Sequence, residues 1–344
     1  MTAAARDPVA DLKRIAFLLE AMQEPSYRVR VFRTAAATLA GLGIEEIRER
    51  AATGRLQELS GIGEVTERTI LESLRGEPPV YMRRLETTEG KPLAQGAAEL
   101  RAALKGDLHA HTDASDGHAS VREMAEAAIE LGHQYLVISD HSPRLTIANG
   151  LSTERLLLQL DDVARLNAEL APFRVLTGIE VDINEDGSLD QAPEVLSRLD
   201  VVVGSVHSLL RMESGKMTRR MVTALADPHL DVLGHCTGRM KTERRDRPES
   251  TFDPDIVFAA AARFDKAIEI NCLPARLDPP KRLLRLAIES GCRVSIDSDA
   301  HYAGQLAWVG VGCERAFLCG VTPEMIVNAM PADDLIGWAA AHEA

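Results

Sequence analysis

The chain has 344 residues, 45% apolar and 26% charged, a composition that buries a sizeable core and excludes disorder; the length predicts a barrel plus a smaller unit, or two domains. The net charge of −13 excludes DNA binding driven by the overall field and leaves room only for local contacts. There is no membrane-length apolar run, and MTAAARDPVADLKR lacks a signal-peptide core, so a cytoplasmic protein without membrane contact is expected; five cysteines without a C-x-x-C pair exclude a zinc ribbon and a disulfide framework.

Residues 8–76 read as helical. Apolar residues recur at three- and four-residue spacing in VADLKRIAFLLEAM, with Asp11 near its start. Further helices are predicted over Arg28–Leu42 and Glu45–Thr53. In LSGIGEVTERTILESL (Leu59–Leu74), Gly61 and Gly63 make a tight turn before another periodic helix. The organisation expected is a helical domain over 1–80, a linker over 81–105 with room for one helix, and an α/β domain over 106–344. From Gly106, short apolar runs alternate with helical stretches: GDLHA (106–110), YLVIS (135–139), RVLTGIEV (174–181), DVVVGSV (200–206), LDVLGH (230–235), KAIEIN (266–271) and CRVSIDS (292–298). Seven such units predict a parallel sheet closing into a barrel with helices outside.

Six of the ten histidines, with three carboxylates, fall at the ends of these predicted strands or just beyond. They are His109, His111 and Asp116 after the first strand, His141 after the second, Glu180 closing the third, His207 after the fourth, His235 ending the fifth, and Asp299 and His301 after the seventh. In a parallel barrel the strand C-termini share one pole, where function is built. Imidazole and carboxylate are ligands of Zn²⁺, Mn²⁺ and Fe²⁺. Without a metal, such a cluster carries a large desolvation cost. A single strand-end histidine is more often a hydrogen-bonded surface or core residue; six at one pole are not. His118, His133, His229 and His342 lie in helix or loop positions and read as structural.

HAHTDASDG, SDHS, GIEVDI, GSVHS, GHCTGR, EINCLPARLD and SDAH together resemble the polymerase and histidinol phosphatase (PHP) domain, in the form found at the C-terminus of bacterial family X DNA polymerases. The resemblance runs from about Gly106 to Gly320. SYRVRVFRTAAATLAGL and LSGIGEVTERTI resemble the small helix-hairpin-helix domain of the same polymerases. The stretch between Gly76 and Gly106 is too short for their nucleotidyl-transfer palm, so polymerase activity is not implied. The resemblance implies a distorted (β/α)7 barrel preceded by a small all-α domain, and three divalent metal ions (Zn, Mn or Fe). Carried over by motif, His109, His111, Glu180 and Asp299 would hold the first. Glu180, His207 and His235 would hold the second, and Asp116, His141 and His301 the third. No position of the nine is lost. Cys236 stands where that form usually has proline, as packing or as an extra soft ligand. In the helical domain, Gly61, Ile62 and Gly63 would offer amides to a DNA phosphate, with Arg68 nearby; the alternative is a helical packing domain without ligand.

The reaction expected is phosphate-ester hydrolysis, with His109, His111, Glu180 and Asp299 at its centre. Arg239 and Arg276 would clamp the phosphate, or form rim salt bridges. The run KTERRDR (241–247) would guide a nucleic-acid backbone or be a solvated loop. Three functions remain open: DNA 3′-end processing as a 3′-5′ exonuclease or 3′-phosphoesterase, a small-molecule phosphatase of histidinol-phosphate type, and a non-catalytic DNA-binding scaffold with structural metals. The oligomeric state is not legible.

Overall fold

In a computed structural model, residues 6–88, 93–242 and 246–343 are described; part of KTERRDR, residues 243–245, lies outside them. The chain divides into two compact units, 1–92 and 93–344.

The first unit is helical: α1 (Pro8–Ala21), α2 (Ser26–Ala40), α3 (Ile44–Ala52), α4 (Glu64–Leu74) and α5 (Val80–Thr88). Asp7 caps α1 by accepting the Val9 amide, with Pro8 at the first helical position where a missing N–H costs nothing. Leu12, Ile15, Leu19, Phe32, Leu39 and Ile70 are buried, and α1 packs against α2, α4 and α5. The stretch 81–105, expected as a linker with room for one helix, thus holds most of α5 and a second helix. All of α5 belongs to this unit, whereas α6 (Gln95–Ala103) packs through Ala97 and Leu100 in the second.

The second unit is a nearly closed barrel of seven parallel strands. They are β1 (Gly106–Asp107), β2 (Tyr135–Ile138), β3 (Arg174–Asp182), β4 (Val201–Ser205), β5 (Val232–Leu233), β8 (Ala267–Asn271) and β9 (Arg293–Asp297), hydrogen-bonded in that order. An antiparallel strand pair, β6 (Met240–Lys241) with β7 (Asp246–Arg247), overlaps the KTERRDR region and is not expected from the sequence. The helices of this unit continue as α7 (Val121–Glu130), α8 (Thr153–Leu170), α9 (Pro193–Leu196), α10 (Ser214–Leu225), α11 (Pro254–Arg263), α12 (Lys281–Glu289), α13 (Val309–Leu318) and α14 (Ala332–Ala340). Ser120 starts α7 with a reciprocal cap: its hydroxyl accepts the Glu123 amide, and the Glu123 carboxylate accepts the Ser120 amide.

Strand alternation separates two environments. Leu176 of β3, Val201 and Val203 of β4 and Ala267 of β8 share one cluster with Leu335 and Trp338 of α14. Their neighbours Ile179, Val181, Val202 and Ile268 belong to another, with Met217, Met221, Val257 and Leu283 of the outer helices. Continued along β3 and β8, the first face carries Glu180 and Glu269, both fully buried. The same face is therefore apolar near the strand starts and ionisable near their ends.

The seam between β1 and β9 is closed by side chains. Asp107 accepts the Ser298 amide at 3.0 Å, and Asp297 accepts the Leu108 amide at 2.8 Å. One backbone bridge, Ala110 to Ala300, and a His111 amide to Ala300 carbonyl bond of 2.8 Å complete the closure at the mouth. Among the described residues no helix is long and apolar enough to cross a membrane.

Candidate metal centre

Glu180 sits at the middle of five imidazoles. Its Oε1 lies 2.9 Å from His235 Nε2 and 3.3 Å from His207 Nε2. Its Oε2 lies 2.8 Å from His141 Nδ1, 3.4 Å from His109 Nε2 and 3.7 Å from His111 Nε2. Asp299 Oδ1 stands 3.4 Å from His111 Nε2, 3.8 Å from His301 Nδ1 and 3.9 Å from His109 Nε2. Asp116 Oδ1 is 3.5 Å from His301 Nε2 and 3.6 Å from His141 Nε2. All nine residues named from the sequence thus meet at one pole.

Three groups have ligand atoms within 4.8 Å of one another: His111, Asp116, His141 and His301; His109, His111 and Glu180; and His141, Glu180 and His207. His111 and His141 are each shared between two groups. The loops that place these side chains leave ordinary backbone space, with His235 at φ 22° and Asp299 at φ 55°. Such conformations cost roughly 1–3 kcal/mol each and persist where surrounding contacts over-determine them.

The cluster is under-satisfied as protein alone. His109 Nε2, both nitrogens of His111 and of His207, His141 Nδ1, His235 Nδ1 and Glu180 Oε2 are buried without a hydrogen-bond partner among the described residues. The 2.8 Å approach of His141 Nδ1 to Glu180 is short but lacks hydrogen-bond angles. Buried polar atoms are almost always paired, so eight orphans in one place require a shared partner. Divalent cations fit: borderline-soft imidazole and hard carboxylate donors converge with their lone pairs unspent.

Electrostatics divide the cluster into ionised carboxylates, neutral imidazoles and protonated ones. Burial alone would raise the Glu180 carboxyl, but His109, His207 and His141 hold it well below the usual range. Asp299 is likewise held low against burial, by His109, His111 and Arg276. Burial, with His141 and His301 close by, pushes His111 down to about 3. His207 moves the other way, to about 9, because Glu180 and Asp182 outweigh its burial. As protein alone, the site holds its carboxylates ionised and His111 neutral, as ligation requires, whereas carboxylate partners keep His109, His207 and His301 protonated, so a metal would displace those protons.

Residues behind the cluster orient it. Glu269 Oε1 lies 2.6 Å from His109 Nδ1, and its other oxygen accepts the His235 amide and an Asn271 side-chain donor. One carboxylate thus aims two imidazole-bearing segments. Asp182 Oδ1 is 3.5 Å from His207 Nδ1 and accepts the His207 amide. Asp140 gathers Thr112, Ser115 and Gln159 at 2.5–2.7 Å and fixes the loop after β1. Sequence reading named none of these three as site residues. The signals available for Glu269 were its place at the head of the motif EINCLPARLD and as a lone carboxylate inside the apolar run KAIEIN.

Arg276 is nine-tenths buried, with Nε 3.2 Å from Asp299 Oδ2. Nε and Nη1 have no partner of hydrogen-bond geometry among the described residues. Arg239 is half-buried, and among the described residues no ion pair joins it to the cluster. Cys236 is buried, with its thiol 3.9 Å from Asp278 Oδ1 in a packed interior. The other four histidines lie outside the cluster: His342 contacts Asp231, His229 contacts Glu343, His118 packs at a tilt against Tyr302, and His133 is buried.

In the helical unit, Gly61 has φ 79°, and a Cβ there would strike Thr34 Cγ2 at 2.5 Å. Gly61 and Gly63 are exposed and Ile62 is buried. The Gly63 amide donates to Thr66 Oγ1 at 2.9 Å and the Ile62 amide to Leu59 O at 3.2 Å, so two of the turn's donors are committed internally. Arg68 is exposed and paired with Glu64 at 3.3 Å.

A seven-stranded parallel barrel with a histidine and carboxylate cluster at its strand ends defines a class. Residues 107–271 match the PHP domain and residues 4–77 a helix-hairpin-helix domain. The chain is a PHP-domain protein with an N-terminal helix-hairpin-helix domain. It is 39% identical over 232 residues to the DNA polymerase/3'-5' exonuclease PolX of Bacillus subtilis (strain 168), a match covering 67% of this chain and 40% of that protein. The chain thus spans about two-fifths of that relative's length. It is 26% identical over 234 residues to a "probable phosphatase" of Thermoanaerobacter sp. (strain X514), covering 64% of this chain and 89% of the relative. Among solved structures it is similar to histidinol phosphate phosphatase from Lactococcus lactis, complexed with zinc, L-histidinol and phosphate, at 17% identity and a TM-score of 0.45, over 63% of this chain and 94% of that one.

Proposed function

We propose that the protein is a metal-dependent phosphoesterase acting on DNA 3′ ends, as a 3′-5′ exonuclease or 3′-phosphoesterase, within the broader class of hydrolases of phosphate esters. The observation that carries the metal-site reading is the set of orphaned imidazole nitrogens around Glu180. The nine residues would hold three divalent ions, Zn, Mn or Fe, with Glu180 common to two of them. When bound, divalent ions supply Lewis-acid stabilisation of phosphoryl charge and a nucleophile at neutral pH. Glu269 keeps His109 in one orientation and tautomer, as carboxylates behind metal-binding histidines do. Arg276 has N–H groups to spare beside Asp299 and would hold a phosphoryl oxygen through charge-assisted bonds. Arg239 would supplement it from the loop after β5. The Gly61–Ile62–Gly63 turn and Arg68 would contact a DNA phosphate. The committed Gly63 and Ile62 amides point to the next donors at the start of α4.

The DNA reading draws on the helix-hairpin-helix domain and the 39% identity to a polymerase/exonuclease. A second reading, a small-molecule phosphomonoesterase, is favoured by the likeness to a protein called a probable phosphatase over 89% of its length. The deciding experiment offers metal-loaded protein a 3′-recessed duplex, histidinol phosphate and a generic phosphomonoester. Preferential degradation of the duplex, lost together with metal in His109→Ala, is expected. Turnover of the small esters alone would replace the DNA reading with the second one, and full metal content in His109→Ala would overturn the metal assignment.

A further inference from the structure

A groove of about 440 Å³ opens beside the His207 and His235 segments, lined by Leu209, Leu210, Arg211, Asp246, Arg247 and Pro248. One wall begins two residues after His207, and two residues of extended chain span at most about 7 Å. The other wall is β7, whose Arg247 Nε donates to the Gly238 carbonyl at 2.6 Å, three residues after His235. Leu210 closes the floor against Gly238, where an added Cβ would meet Leu210 Cδ2 at 2.7 Å. Groove and candidate metal centre are therefore built on the same two loops.

Leu209 is the unusual residue. It adopts φ 54°, left-handed space that favours glycine, and yet 54% of it is exposed. Strain of this kind is retained where surrounding contacts impose it. Here the imposing contact is Arg220, fully buried, which donates to the Ser208 carbonyl at 2.9 Å from behind the loop. The outcome is an apolar side chain held out over the groove. Arg211 follows it, exposed and without an ion pair among the described residues. Asp246 adds an acceptor that repels a dense cluster of phosphates but can take a hydrogen bond from a base amino group.

We propose that this groove is a subsite for a nucleotide next to the scissile phosphate of a single nucleic-acid strand, with Leu209, Leu210 and Pro248 against the base and Arg211 on the phosphate backbone. Sequence-tolerant proteins hold single strands with cations along the backbone and side-chain faces, usually aromatic, under the bases; here the faces are aliphatic. A small phosphomonoester would leave the groove unused. The proposal rests on the phosphoesterase reading above and names its substrate class more narrowly.

The test uses full-length protein and Leu209→Gly/Arg211→Ala, in which glycine keeps the left-handed backbone without strain. Fluorescence anisotropy of labelled octadeoxyadenylate reads binding without requiring turnover, and bis(p-nitrophenyl) phosphate reads hydrolysis. Binding of the octamer is expected to weaken about tenfold, with a shallower salt dependence, and the octamer to lose more kcat/KM than the chromogenic ester. Unchanged octamer binding, or equal losses on both substrates, would overturn the groove assignment. Failure of the parent protein to turn over either ester would instead strike the phosphoesterase reading, while the binding comparison still decides the groove.

Discussion

Glu180 shows how one side chain can organise a site. Five imidazoles approach its two oxygens, so every change in protonation or orientation among them is felt at one carboxylate. The orientation of His109 is set by Glu269, its closest partner at 2.6 Å. Glu269→Gln keeps the shape but replaces a full negative charge with a neutral amide, loosening the ring. Metal affinity is expected to fall about 10–100-fold with the helical signal in circular dichroism unchanged. Competition with a chromogenic chelator measures it, and affinity equal to the parent's would show that Glu269 only packs. The difference between this residue and the nine ligand candidates also explains what could be read from the sequence. His109, His141, His207 and His235 stand where an apolar run stops, and a strand end in a parallel barrel is a functional address. Glu269 lies inside its strand, where a lone carboxylate reads as noise in an apolar run. Its meaning comes from contact with a residue 160 positions away. The same holds for Asp140 and Asp182, which share loops with ligand candidates but act through neighbours that no spacing rule connects.

At the scale of elements, alternation carried most of the information. Six of the seven runs read as strands contain a barrel strand and the third matches β3 up to its last residue, Asp182, because apolar β-branched stretches bounded by polar loops fit only a sheet covered on both faces. The β6–β7 pair escaped because its four residues, Met240, Lys241, Asp246 and Arg247, carry no strand pattern and pair only with each other. The seam was equally hidden. Barrels usually close by backbone hydrogen bonds, whereas here Asp107 and Asp297 reach across and substitute for them. Asp297 also faces a side-chain donor of Asn328 at 3.3 Å. Asp297→Ala strands the Leu108 amide in a dry interior, at a cost of about 1–3 kcal/mol, while the Asn328 donor keeps the Gly106 and Ile296 carbonyls. Asp297→Asn preserves the acceptor at Oδ1 and is expected to stay within about 1 kcal/mol of the parent. Urea unfolding monitored by near-UV signals separates the two. Equal stability of the alanine variant would mean that Ala110–Ala300 and its neighbours close the barrel unaided.

For the whole molecule, the distribution of charge constrains the division of labour. Residues 1–92 carry 14 Lys/Arg and 14 Asp/Glu, so the entire net charge of −13 belongs to 93–344, the unit that holds the candidate metal centre. A polyanion approaching that unit meets repulsion except where cations such as Arg276 and Arg211 are placed locally. The helical unit, neutral overall and carrying the exposed Gly61 and Gly63 turn, is the better place for duplex contact. The three apolar clusters of the barrel are composed wholly of residues after 92. A chain of residues 93–344 is therefore expected to fold, to keep its metal, and to hydrolyse a chromogenic phosphate ester within a factor of about three of the full chain, since nothing in the cluster is removed. Its affinity for duplex DNA should fall at least about tenfold at moderate salt, because the local phosphate contacts are gone and the residual field is repulsive. Titrating labelled duplex with both chains at two salt concentrations measures the difference. Equal duplex affinity in the shortened chain would assign DNA contact to the barrel rim and reduce the helix-hairpin-helix unit to packing. Loss of ester turnover with metal retained would show instead that the two units complete one active site.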